Sequence, residues 1–281
     1  MFGMDFLCHL CACMMTRLIL VLWLFFESCS PSKKLSLPIR DKDAAGGNKF
    51  FHMIGPLKWH LRDSLILNEI LSGNVPGFLK KLVPVKVSLR VNNKIIRATY
   101  FVTPDYLSVG NNNDFSRVPM TPMAAQQIAD SLHCFLPTRK MVDDIYSAAT
   151  IKLEPVPLFA FRDSALVFWH HNLIIEGQRK GRKGLIAGIK KDVVISPKLT
   201  KEVRTDREAI YGWHKLDGKP IQPLYTGHVN WWVDYSHGIR LGYRTIMIEG
   251  KPMDYIDVLK DPVLRKLLCD EEDCDFYRYS Y

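Results

Sequence analysis

Between residues 56 and 180 the apolar positions recur mostly at helical spacing. In "LRDSLILNEILSGN", Leu65, Ile66, Ile70 and Leu71 fall on one face of a helix, and Gly73-Asn74 stops it. "VKVSLRV" and "KIIRATYFV" alternate instead, and the Asn92-Asn93 pair between them predicts a hairpin. Two helices follow. "PMAAQQIADSLH" starts behind a Thr121 cap with Pro122 in its first position, and "RKMVDDIYSAA" starts behind a Thr138 cap. Ile128, Leu132, Met141, Val142 and Ile145 make these two a packed pair. A third helix, "RDSALVFWHHNLIIEGQ", runs into the basic stretch "EGQRKGRKG", which reads as a solvated loop.

From Gly184 onward the pattern turns to strands, at "LIAGIKKDVVIS", "EAIYGWHKL", "KPIQPLY", "HVNWWVDY" and "RTIMIEG", and "MDYIDVLKDPVLRKLLCDEED" predicts a closing helix. The sum is a single α+β domain over residues 56–281, with helices in the N-terminal half and a mainly antiparallel sheet in the C-terminal half. Residues 30–55, rich in Ser, Pro, Lys and Gly, predict a flexible tether. Ahead of them, Arg17 precedes an apolar run from Leu18 to Phe26 that is too short to span a bilayer and reads as an export signal. Residues 1–29 resemble a lipoprotein signal ending at Cys29, the lipidation site, with a plain cleaved secretory peptide as the alternative. Met14 or Met15 would serve as a closer start.

A chain of 281 residues, 47% hydrophobic, supports one large core or at most two small ones. The lipoprotein-like signal implies the bacterial cell envelope or secretion, and a formal net charge of +9 would draw such a protein to anionic surfaces. The expected partners are a membrane, through the N-terminal lipid anchor, and an anionic envelope polymer or a glycan or peptide substrate; nucleic acid is not expected. Only Cys134, Cys269 and Cys274 lie beyond the leader, and Cys269 can pair with Cys274 in an oxidising compartment.

The candidate chemistry gathers between residues 170 and 240. Read as a strand, "HVNWWVDY" places His228, Asn230, Trp232 and Asp234 on a groove-like face and Val229, Trp231, Val233 and Tyr235 on the core. Ser236, His237 and Gly238 then leave at a turn, with Gly238 in a conformation other residues avoid. Asp217-Gly218, taken as a two-residue turn, puts His214 opposite Ile221. A further turn at Thr226-Gly227 would put Lys219 opposite Asp234, leaving His214 and Asp234 about 10 Å or more apart on one face. Lys191 is the one charge on the apolar row Ala187, Ile189, Val193 and Ile195. That marks either a functional ammonium or an edge lysine reaching for water. His170 or His171, with Asn172, is expected to face the sheet. Asp234 and His237, with a distant His214 or His228, carry zinc-ligand types, yet no close pair such as H-E-x-x-H anchors them, so no metal or cofactor is assigned.

"YSHGIRL" resembles the Ser-His-Gly-Cys-x-Arg signature of L,D-transpeptidases, with Ser236, His237, Gly238 and Arg240 aligned and Ile239 where that family has its nucleophilic Cys. "GIKKDV", "YGWHKLDGKPIQPL" and "DYSHGIRL" are similar to an uncharacterised group of exported bacterial proteins, which implies the compartment and supplies no reaction. The leading expectation is an envelope hydrolase or transferase acting on an extracellular polymer. His214 or His237 would be its base, Asp234 its orienting or acid group and Ser236 its nucleophile. Lys191 and Arg240 would stabilise negative charge, while His171, Asn172, His228 and Trp232 bind. A non-catalytic glycan- or peptide-binding module and a metal-dependent hydrolase are the alternatives.

Overall fold

The computed structural model describes residues 33–281, so the expected export signal, the choice of start and the expected lipidation site Cys29 lie outside the described residues. Helix Trp59–Leu71 buries Ile66 and Ile70, and Gly73 just beyond it takes φ +89°, which costs glycine little. Thr121 and Thr138 accept the backbone N–H groups of Ala124 and Met141, capping helices Pro122–Ser131 and Arg139–Ala148; Ser164 caps Ala165–Arg179 through Val167. Val83–Val91 pairs antiparallel with Lys94–Val102 through Asn92 and Asn93, both at positive φ, the turn whose twist matches that of the strands.

The fold is α+β, with most helices before residue 180. Among the described residues a six-stranded antiparallel sheet contains the Val83–Val91 and Lys94–Val102 hairpin. A four-stranded sheet runs in the order Pro220–Tyr225, Ala209–His214, Lys191–Val194, His237–Gly238. Its first three strands are antiparallel and the short last one is parallel to Lys191–Val194. Tyr279 closes one end of this sheet: its hydroxyl donates to Val194 O (2.6 Å) and accepts from Ala209 N (3.0 Å).

Four expectations are corrected. Residues 33–55 are not a tether, because Leu35 and, in helix Gly47–Ile54, Phe50, Phe51 and Ile54 are buried. Phe51 packs edge-on against Phe168 and beside Trp169, and burying such rings outweighs the polar composition around them. Residues 228–236 form bends and turns, not a strand. Trp231, expected in the core, is 48% exposed, whereas Asp234, expected on the open face, is fully buried. The hairpin after His214 has a three-residue loop at 216–218: His214 pairs with Pro220, Lys215 N donates to Lys219 O (2.9 Å), and Gly218 at φ +88° takes the left-handed position that such loops need. Strand Pro220–Tyr225 is consequently an edge, and no strand brings Asp234 opposite Lys219. The closing helix is Tyr255–Lys260 alone; Asp261 and Pro262 break it before a 3₁₀ turn at Leu264–Leu267. Beyond that turn Cys269 and Cys274 form a disulfide, and Cys134 is free and buried.

Arg117 joins the helical and sheet halves. Its guanidinium is 1% exposed, forks onto both Asp105 oxygens (2.9 and 2.6 Å), reaches Glu176 (2.9 Å) and donates to Asn172 Oδ1 (3.0 Å). Asn172, expected to bind a ligand, is spent on this network and also donates to Phe115 O. Arg117→Met strands the buried Asp105 charge and is expected to lower stability by about 3–5 kcal/mol in urea unfolding. Replacing Arg204, whose partner Glu202 is screened by solvent, the same way should leave the urea midpoint nearly unchanged.

Candidate metal centre

Backbone pairing assembles the site from two directions. Residues 206–208 are zipped to residues 228–230: Glu208 N donates to His228 O (3.2 Å), Asn230 N donates to Asp206 O (2.8 Å), and Arg207 bridges Val229. This lays Glu208 beside His228. The second direction is set by Asp234, whose Oδ1 accepts both the N–H and the hydroxyl of Ser236 while its backbone oxygen accepts from His237 N (3.1 Å). The resulting turn delivers His237 into parallel register with Lys191, fixed by Lys191 N donating to Ser236 O (2.8 Å). Gly238 is required here for close approach, not for the unusual backbone conformation expected of it. A Cβ at this position would lie 2.6 Å from the Tyr106 ring and 2.7 Å from Lys190 Cβ.

Three side chains converge. Glu208 Oε1 lies 3.5 Å from His228 Nδ1 and 3.6 Å from His237 Nε2, and one ligand atom from each of the three falls within 4.8 Å of the others. A tetrahedral ion with bonds of about 2.0 Å sets its ligand atoms about 3.3 Å apart, close to both distances from Glu208. Glu208 and His237 are buried and His228 is half-exposed. Both oxygens of Glu208, both ring nitrogens of His237 and Nδ1 of His228 lack a hydrogen-bond partner. Buried polar groups left unpaired in this number are costly, and a cation satisfies them together.

The electrostatics agree. Burial, with the Asp234 charge adding to it, pushes the Glu208 carboxyl well above the usual carboxylate range. Burial pulls His237 down to about 4 and lowers His228, so both imidazoles are neutral near pH 7, the form that ligates. Asp234 is held low: desolvation opposes its charge, but His237, Lys191, the Ser236 hydrogen bond and Arg162 outweigh it. It lies 3.9 Å from His237 Nε2 and pairs with Arg162 Nη2 at 2.5 Å.

The other expected residues divide. Lys191, Asp234, His228 and His237 come together, while His214 belongs elsewhere. It bonds Asp143 Oδ1 (2.8 Å), stacks on Tyr146 (4.6 Å) and lines a cavity of about 490 Å³ with Tyr211 and Lys152. Ser236 is fully buried with its hydroxyl donated to the Asp234 carboxylate, and among the described residues no imidazole is hydrogen-bonded to it, which argues against the expected nucleophile. Arg240 is buried, donates to Thr103 O and Ile186 O, and covers the Tyr106 ring, so it ties loops together. His171 is buried against the edge of the Tyr235 ring with both nitrogens unpartnered, and Trp232 is half-buried in the 228–236 segment. Lys191 lies in an interior strand, which excludes the edge alternative.

Glu208 escaped the sequence reading. It opens "EAIYGWHKL" as one acidic residue in the charged run "EVRTDREA", and nothing local marks it as buried. Comparison with family models, curated proteins and solved structures finds no match, so the reading of the site rests on its chemistry.

Ser236→Ala removes a charge-assisted bond to Asp234 and is expected to cost about 1–3 kcal/mol in denaturant unfolding. A loss near zero would show that the Asp234 turn does not need the hydroxyl.

Proposed function

We propose that the protein is a metal-dependent hydrolase in which Glu208, His228 and His237 hold one divalent cation. The observation that carries the reading is the set of unpartnered ligand atoms on two buried residues and one half-buried residue. Two imidazoles and one carboxylate supply three positions and leave a fourth for water or substrate, the arrangement of catalytic rather than structural zinc. The bound cation would supply Lewis acidity and a water acidic enough to attack a carbonyl or phosphoryl centre near neutral pH. Asp234, adjacent to His237 and fixed by Ser236 and Arg162, would orient that imidazole as an outer-shell carboxylate.

The bond cleaved belongs, on this reading, to an extracellular polymer or its fragments at the bacterial envelope. The Cys269–Cys274 disulfide favours an oxidising compartment, and the net positive charge favours anionic surfaces. The aromatic side chains of Tyr225 and Trp231, 44% and 48% exposed, are suited to stack on a sugar or a peptide and also support the binding-module alternative.

Zinc titrated into metal-free protein should bind one to one, and Glu208→Gln should weaken it by more than the roughly 10–100-fold that loss of an outer-shell group produces. Hydrolysis of nitrophenyl ester and phosphate substrates should disappear with that variant and with chelator, returning on zinc addition. Activity that needs iron(II) and dioxygen instead would replace hydrolysis with oxygenase chemistry.

Binding must also displace the proton that burial keeps on Glu208, whereas the two imidazoles arrive neutral. One proton is therefore released, and affinity rises about tenfold per pH unit while metal-free Glu208 stays protonated, weakening as pH falls. Calorimetry in buffers of different ionisation enthalpy counts that proton.

A further inference from the structure

We infer that the cation site takes a substrate bearing an oxyanion, a carboxylate or a phosphate, held by Lys191 and Arg162; this rests on the metal reading above. The cations around the site differ in how they are used. Lys190 donates its ammonium to Tyr235 O, Arg240 is spent on two backbone oxygens, and Arg117 is spent on Asp105 and Glu176. Lys191 stands apart from them. It is 5% exposed, and among the described residues its Nζ has no hydrogen bond and no ion pair; the ammonium rests over the Trp213 ring at 4.9 Å from its centroid. Trp213 is itself unusual, a bulky residue at φ +58°, a strained conformation of the kind found where a side chain must be aimed.

Arg162 is the second donor. Its Nη2 pairs with Asp234, while its Nε is buried without an acceptor. The side chain as a whole is 40% exposed, so it reaches solvent beside the buried carboxylate. Lys191 lies within electrostatic reach of Asp234, Arg162 and Glu208, and both cations act on His228, the partly open ligand. Register fixes the placement further: Lys191 is directly beside His237 on the neighbouring strand.

The charge balance then points one way. Glu208 and Asp234 are matched by Lys191 and Arg162, so a divalent cation would leave the site with two positive charges. A deprotonated water would answer one of them. The other calls for an anionic group on the substrate, and the unpartnered Lys191 and Arg162 donors are where it would sit. A lysine kept only for packing over Trp213 would make no such demand.

Cobalt(II)-loaded protein tests this, because its visible spectrum reports changes around the ion. Inorganic phosphate and acetate are titrated separately. Saturable spectral shifts are expected, with Lys191→Gln weakening the tighter anion at least tenfold without loss of cobalt affinity. Arg162→Gln should weaken it several-fold, and Lys191→Arg should stay within a few-fold of the parent. Thermal unfolding of each variant checks that the fold is kept. Tighter phosphate assigns a phosphoryl substrate and tighter acetate a carboxylate one, and either supports the inference. Equal anion binding by the parent and a folded Lys191→Gln protein overturns the oxyanion subsite and leaves the metal reading standing. Absence of any cobalt spectrum overturns both.

Discussion

The turn at Asp234 is the constraint on which the C-terminal half depends. Its carboxylate has no exposure, and a buried charge persists only where donors surround it. Ser236 gives two and Arg162 a third, and the same aspartate ends the turn by accepting from the backbone of His237. One residue therefore sets the direction of His237, starts the two-residue parallel pairing with Lys191 and draws Arg162 over the site. The pairing itself is too short to be stable alone, so the carboxylate carries what a longer ladder would otherwise carry.

Glu208 meets the opposite condition. It is as deeply buried as Asp234 yet has no donor, and its nearest polar groups are two neutral imidazoles. The contrast between a satisfied carboxylate and an unsatisfied one a few ångströms away separates scaffold from ligand. Arg240 and Ser236 fall on the scaffold side for the same reason, since their hydrogen bonds go to protein oxygens and Arg240 also faces the buried Asp192 carboxylate.

Local patterns fixed much of the fold in advance. The threonine caps, the Asn92-Asn93 hairpin and the helical spacing around Ile66 and Ile70 each depend on neighbours within a few residues. The site was legible only in part. His228, Asp234, His237 and Lys191 stood out by residue type, but alternation failed for residues 228–236, where turn hydrogen bonds replace a ladder and invert the expected exposure of Trp231 and Asp234. The single residue gained by the loop at Gly218 moved His214 out of register, and it turns to Asp143 instead. Glu208 was invisible because its burial comes from residues about 20 to 70 positions away, His228 and Tyr279 among them.

The clamp of Tyr279 on Val194 and Ala209 ties the residue adjoining Glu208 to a segment that first passes through the acidic loop at 270–273. Asp270 and Glu272 are exposed there, an accessible place for a protease to cut. Cys269 and Cys274 bracket that loop, so a single nick between them leaves both ends joined through sulfur and Tyr279 still attached. Such a bond confers tolerance to backbone cleavage at this exposed loop. In a reducing environment the same nick would leave the segment beside Glu208 held by noncovalent contacts alone, the Tyr279 clamp among them.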